Sequence, residues 1–326
     1  MGSEARRRSR ERIREQREKE KRAAKRNRTL LVVGAAAVVV LLIVGIGYLV
    51  LNADRRSSGF EGALPPRTLQ EDGSVVMAQE GVEAPVVEVY ADYQCPACRQ
   101  FELLNGDVLK ENAAEGQAIV HYRPVSIFAQ QPPPISSNSL RAGAAARAAA
   151  DHDRFVRYND ILFENQPTEG EEGFAVEQLQ DWFAETDPTE QQQEQFDQRV
   201  EEEAEVVTRF TGEFLPALTQ DAQEQLGQER LGTMVLSDLL AWGEENGHDS
   251  SFLDGTYTGQ IIEATGNAYT RYSGDNAFRA TPSVYVNGEL LDNNTAMTAR
   301  GLDEAIDSAE PGEVDTRPMG DGGGAE

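Results

Sequence analysis

Two cysteines, three residues apart, are the only thiols in the chain, in the run Cys95-Pro96-Ala97-Cys98. Residues at that spacing in the first turn of a helix face the same side, with Cβ atoms roughly 5–6 Å apart, within reach of disulfide geometry. Val86-Val87-Glu88-Val89-Tyr90 ahead of them is β-branched and aromatic and reads as a strand, while Arg99-Gln100-Phe101-Glu102-Leu103-Leu104 behind them reads as a helix. The pair therefore sits at a strand-to-helix junction. Pro96 suits an opening helical position, where an amide hydrogen has no intrahelical partner. Cys95 then occupies the helix N-terminus, whose N–H groups and macrodipole favour a thiolate over a thiol. That chemistry makes Cys95 a nucleophile and Cys98, one turn in, the thiol that resolves a mixed disulfide.

A structural disulfide and a metal site are the alternatives for the same residues. A loop of three residues constrains the unfolded chain little, so the pair makes a poor staple. A metal site needs further soft ligands, and neither a second Cys pair nor a neighbouring His is present. The three histidines, His121, His152 and His248, are scattered. No metal and no cofactor are expected beyond the redox-active Cys95-Cys98 pair itself.

Gln117 to Arg123 reads as a second strand after the first helix, completing a β-α-β unit. Far along the chain, Thr281-Pro282 opens a strand that turns at Asn287-Gly288 and returns through Glu289-Leu290-Leu291. A proline opening a strand donates nothing to the ladder; Thr-Pro by itself is ordinary there, and a trans bond is the commoner state. Between these two blocks the sequence is helical: Ser139 to Ala150 is alanine-rich, and Phe155 to Phe163, Ala175 to Ala184 and Leu236 to Trp242 carry apolar residues at helical spacing. The polar stretch Thr186 to Val206, with Gln191-Gln192-Gln193 and Glu201-Glu202-Glu203, is expected to be a solvated helix or a flexible excursion. A last helix is expected at about Met297 to Ala309.

Charge and hydropathy divide the rest. The chain of 326 residues has 30 basic and 56 acidic side chains, a net charge of −26 that argues against nucleic-acid binding. Residues 1–29 nevertheless hold thirteen Lys/Arg against five Glu, a local charge of +8, which leaves −34 on the remainder. Leu30 to Leu51 follows, twenty-two uncharged and largely apolar residues. As a helix they reach roughly 30 Å, the thickness of a bilayer's hydrocarbon core. The apolar run is longer than that of a signal peptide and lacks a clean small-residue cleavage site, so it reads as an uncleaved single-pass anchor. The basic block precedes it, which places the N-terminus in the cytoplasm and the remainder outside the cell membrane.

The expected domain plan is a basic cytoplasmic tail at 1–29, a transmembrane anchor at 30–51 and a flexible linker at 52–73. A folded domain at 74–309 follows, with a helical insertion at about 130–273, and then a disordered acidic tail at 310–326. Lys110 is the single lysine after the anchor. So acidic a surface is expected as an adaptation to high salt, where self-repulsion is screened; a surface for basic partners is the competing reading.

The run Val86 to Phe101, with Asp92-Tyr93-Gln94-Cys95-Pro96-Ala97-Cys98, together with Thr281-Pro282 leading into Val284-Tyr285-Val286-Asn287-Gly288, resembles the DsbA-like branch of the thioredoxin superfamily. The resemblance covers roughly Ser74 to Ala309. It implies an α/β, thioredoxin-like fold with a large helical insertion, here preceded by a single transmembrane helix. It also implies that Thr281-Pro282 is cis, packs beside Cys95 and presents its backbone to an extended substrate peptide. The implied activity is extracytoplasmic thiol-disulfide exchange, as oxidant, with cysteines of secreted or membrane proteins. A membrane partner resembling DsbB or a vitamin K epoxide reductase homologue would restore the disulfide. A thiol reductase and a non-catalytic chaperone or metallochaperone module are the alternatives. Two features depart from the family: Val89 stands six residues before the first cysteine, where many members keep a buried carboxylate, with Glu88 one residue further back. The intervening Pro96-Ala97 also lacks the histidine of the strongest oxidants, which implies a less oxidising couple.

Overall fold

The computed structural model describes Phe60 and residues 62–314. The basic segment 1–29, the apolar span 30–51, most of the linker before Phe60 and the tail beyond Val314 lie outside the described residues. Among the described residues, no helix is long and apolar enough to cross a membrane.

Six strands form one sheet in the order β1-β2-β4-β3-β5-β6. They are β1 (Arg67–Leu69), β2 (Val75–Met77), β3 (Val86–Ala91), β4 (Ile119–Pro124), β5 (Ser283–Val286) and β6 (Glu289–Leu290). The central pair, β3 and β4, is parallel, and helix α1 (Pro96–Glu115) crosses between them. Such a pair is covered on both faces, which is why β3 and β4 are apolar or ion-paired almost throughout rather than alternating. Val87, Val89, Val120 and Tyr122 face the main core with Phe101 and Leu109 of α1. Tyr90 faces the other way, against Tyr285 and Phe278. The β5–β6 connection turns on Asn287 and Gly288, both with positive φ (51° and 81°), a combination that an Asn-Gly pair adopts at low cost.

Between β4 and β5 lie seven longer helices: α2 (Ile135–Ala150), α3 (Phe155–Glu164), α4 (Val176–Ala184), α5 (Glu190–Arg209), α6 (Leu215–Leu226), α7 (Leu236–Glu245) and α8 (Tyr257–Arg271). The alanine-rich α2 is the axis of this insertion, packing against both α5 and α8. Its small side chains allow that: a Cβ on Gly143 would stand only 3.2 Å from Ile261 of α8, closer than ordinary van der Waals contact. The closing helix α9 (Ala299–Asp307) returns Leu302 and Ile306 to the main core.

Three expectations need correction. The stretch 52–73 is not linker to its end, because Arg67–Leu69 pairs with β2 and Arg67 bonds Asp153 through Nε at 2.7 Å and Nη2 at 2.5 Å. A three-residue edge strand carries too little alternation to be seen in sequence. The segment Thr186 to Val206 is neither excursion nor fully solvated: α5 buries Phe196, Val200, Glu203 and Val207 along one face. Glu203 in turn accepts bonds from the backbone N–H of Tyr257 and Thr258 at 2.7 and 2.8 Å, capping α8. The tail, expected to be disordered from 310, still bonds the loop ahead of β3 at Gly312, whose N–H donates to Ala84 O at 3.0 Å.

Candidate active site

Cys95 is the N-cap of α1, with extended backbone (φ −79°, ψ 117°), and Pro96 follows in the first turn. Its own N–H donates to Asp92 O at 3.0 Å, and its carbonyl accepts from Cys98 N–H at 3.1 Å, so the strand exit closes directly into the helix. Pro96 and Ala97 are exposed, Cys95 is 6% exposed and Cys98 is fully buried. Both sulfurs are free thiols. The Thr281–Pro282 bond is cis. The pair is brought against the cysteines by β5, the antiparallel neighbour of β3, and the Cys95 thiol donates to Thr281 O at 3.3 Å.

The two sulfurs are electrostatically unlike. A hydrogen bond from the Cys98 thiol pulls Cys95 down to about 6; burial opposes it, and the N–H groups of Cys98 and Ala97 reinforce it. Burial pushes the Cys98 thiol well above its ordinary range, and the neighbouring Cys95 charge adds to that. At neutral pH the reduced pair therefore holds one thiolate at the mouth and one thiol inside. This is a nucleophile with a ready leaving group, and an internal sulfur that attacks only after giving up a proton.

Asp92 is the site residue that sequence reasoning missed. Its backbone N–H points at Cys98 Sγ at 3.4 Å, and its fully buried carboxylate accepts from Gln94 N at 2.8 Å, Phe128 N at 3.3 Å and the Ser139 hydroxyl at 2.8 and 2.9 Å. Every one of those donors is neutral, and burial raises Asp92 to about 7. The position three residues before Cys95 carried the signal. The position six residues before Cys95 is occupied by Val89. Val89 packs in the core. Glu88 points to the opposite face, where Arg123 Nε meets it at 2.5 Å and Arg271 Nε at 3.5 Å.

The insertion also reaches the redox turn. Gln166, in the loop after α3, donates through Nε2 to Tyr93 O at 2.7 Å and Cys95 O at 3.0 Å. Arg99 of α1 answers by donating to Phe163 O at 2.9 Å. Behind them, Glu102 is buried and raised to about 8 by burial first and Asp160 second, and it accepts from Asn159 Nδ2 at 3.0 Å. Among the described residues no cluster of His, Cys, Asp and Glu has the arrangement of a metal site.

Residues 81–223 match the family model described as thioredoxin. Among solved structures, the chain is similar to MdbA, a thiol-disulfide oxidoreductase from Actinomyces oris, at 18% identity, covering 78% of this chain and 93% of that one with a TM-score of 0.45. It is also similar to oxidised BdbD from Bacillus subtilis, at 17% identity, 75% and 95% coverage and a TM-score of 0.41. Reduced DsbA from Mycobacterium tuberculosis matches at 21% identity, with 72% and 89% coverage and a TM-score of 0.39. No curated protein matches in sequence. The fold is thioredoxin-like α/β, with the paired cysteines at the strand-to-helix junction that opens α1. Seven longer helices lie between β4 and β5 of that fold, and the match to the family model covers less than half of the chain.

Proposed function

We propose that this protein is an extracytoplasmic thiol-disulfide oxidoreductase, tethered to the cell membrane through residues 30–51 and acting as an oxidant on cysteine-containing secreted or membrane proteins. The observation that carries the reading is the asymmetry of the pair: a thiolate-favouring Cys95 beside the Thr281 carbonyl, and a buried Cys98 held as a thiol. In the oxidised protein a substrate thiolate attacks Cys95 Sγ, the Cys95–Cys98 bond breaks and Cys98 leaves. A second substrate thiolate then attacks the substrate sulfur of the mixed disulfide and expels Cys95, whose low pKa makes it a good leaving group. The half-buried Pro282 and the exposed Pro96-Ala97 leave room for an extended peptide beside the sulfur. A membrane reoxidant resembling DsbB or a vitamin K epoxide reductase homologue would return the pair to the disulfide. The acidic surface fits a salty exterior.

Refolding of a reduced, denatured secreted protein, followed by regain of its activity, tests the proposal. The wild type in its disulfide form should accelerate regain; Cys95→Ser and Cys98→Ser, which hold no internal disulfide, should not, while Cys98→Ser offered a disulfide-bonded peptide should trap it as a mixed disulfide, Cys95 attacking one peptide sulfur and the other leaving as a thiol. Equal rates for wild type and Cys95→Ser would leave only a holding module. A reduction potential as low as that of cytosolic reductants, about −270 mV, would reverse the direction to a reductase.

A further inference from the structure

A cleft of about 450 Å³ lies over the end of β4, between the β1–β2 turn and α8, and its deep part has room for little more than a water-sized group. Three guanidinium groups line it: Arg123 from β4, Arg147 from α2 and Arg271 from α8, with side chains 7%, 11% and 5% exposed. The other polar side chains of the lining are Asp72, Ser74, Tyr90, Gln260 and Asn267. Its carboxylate and one of its amide carbonyls are already used. Asp72 accepts from Ser74 N at 3.0 Å, from the Ser74 hydroxyl and from Arg123 Nη1 at 2.8 Å, and Gln260 Oε1 accepts from Arg147 Nε at 2.8 Å. Donors are left over. Arg147 commits Nε to Gln260 and Nη1 to Asp151 at 2.7 Å, and among the described residues nothing bonds its Nη2 or the Gln260 Nε2. The Asn267 side chain makes no hydrogen bond among the described residues and can turn its amide hydrogens to the same place. The Tyr257 ring, 4.5 Å from the Arg147 guanidinium, fixes the plane of that donor. Gly73 (φ 78°) lets the β1–β2 turn close on it: a Cβ there would stand 3.4 Å from Arg147 Cδ.

We propose that this cleft binds one small monovalent anion, a halide such as chloride, held by Arg147 Nη2 and the side-chain amides of Gln260 and Asn267. Size and charge select that class. The deep part excludes a nucleotide or a sugar phosphate. The three cations are matched by Glu88, Asp72 and Asp151, so the cleft offers hydrogens without the net positive charge that holds a scarce dianion. A weak site of this kind fills from concentrated salt. The β1–β2 turn, β4, α2 and α8 meet at the cleft, so occupancy ties the sheet to the helical insertion in the folded state alone and stabilises it by mass action. With −34 on the residues after the basic segment, the surface as a whole repels anions, and an anion retained here needs a built place. Salt then acts on the protein in two separable ways: screening, which every ion supplies, and occupancy, which depends on which anion is present. Tyr90 in the lining faces away from the main core that holds the cysteines, and the proposal stands apart from the thiol-disulfide exchange described above.

Two measurements test the site: the chlorine NMR line width of sodium chloride solutions containing the protein, and unfolding midpoints in sodium chloride against sodium gluconate at equal ionic strength. Gluconate screens as chloride does and is too large for the deep part. The wild type should broaden the chloride line saturably and unfold about 3 °C higher in chloride than in gluconate. Ala264→Met fills the cleft from α8 while leaving every guanidinium in place, and should abolish both differences. Arg147→Gln removes the Nη2 donor and should reduce both, whatever it costs in the bond to Asp151. Arg300→Gln, at an exposed arginine of α9, controls for the loss of one positive charge and should behave as the wild type. Equal wild-type midpoints in the two salts would overturn the site, as would chloride broadening that survives undiminished in Ala264→Met and Arg147→Gln. Either result would leave the cleft to water and the response to salt to screening alone.

Discussion

Two carboxylates four residues apart, Glu88 and Asp92, are both withdrawn from water and are accommodated in opposite ways. Glu88 sits on the face of β3 away from the cysteines and is surrounded by charge and hydroxyl donors. Arg123 and Arg271 approach it at 2.5 and 3.5 Å, Tyr90 donates to it at 3.3 Å and Tyr272 donates to its other oxygen. Arg123 extends the array to Asp72 at 2.8 Å. Asp92, at the strand exit, has only hydroxyl and backbone donors. A buried carboxylate among cations ties elements together, whereas burial among neutral donors raises Asp92 to about 7. The same residue class is thus held by cations on one face of β3 and by neutral donors at its end.

The largest effect that sharpens this contrast is expected at Glu88. Glu88→Gln leaves two guanidinium groups with less compensation in a buried place and should cost about 3 kcal/mol in denaturant unfolding. The alkylation rate of Cys95 in the folded protein should be unchanged. A large change in Cys95 reactivity would break the division between the two faces.

Asp92→Asn should show its effect in the pH dependence of stability of the reduced protein. The folded carboxyl titrates at about 7 against an ordinary 3.8, so the folded state keeps a proton that the unfolded state has lost between those values. Wild-type stability therefore falls as pH rises across that window, while Asn carries no such loss. The relative gain of the variant from pH 4 to pH 8 should approach about 4 kcal/mol. Parallel stability curves for the two proteins would remove the idea that Asp92 titrates near neutrality.

Alkylation of Cys95 as a function of pH should be half-maximal at about 6. Cys98→Ala removes the strongest donor to that thiolate and should raise the midpoint by about one pKa unit, roughly 1.4 kcal/mol. An unmoved midpoint would shift the cause to the helix terminus and Thr281.

How much of this was legible before folding depended on range. Cys95, Pro96, Ala97 and Cys98 were readable because their chemistry follows from a three-residue spacing at a strand-helix junction. Thr281-Pro282 was readable as a strand opening, and its place beside Cys95 came only through the family resemblance, since β5 meets β3 across nearly two hundred residues. Asp92 was in plain view, yet its role depends on the absence of a cation around it, and that is a property of the packed interior. The buried face of α5 was hidden because Glu203, the last of three glutamates, reads as solvated until its partners on α8 are known. The Arg67–Leu69 strand was too short to alternate.

The smallest effect concerns the acidic exterior. With −34 on the residues after the basic segment, unfolding midpoints should rise by several degrees from low to molar salt as self-repulsion is screened. No gain would leave the acidity to partner recognition.

Gln166 gives the helical insertion a meaning beyond bulk. Its single amide group supplies hydrogens to two main-chain oxygens on either side of Gln94, so paring the molecule down to a minimal sheet and two helices would strip those oxygens of their donors. The segment that looks most dispensable on a topology diagram is stitched into the bend that aims the reactive sulfur.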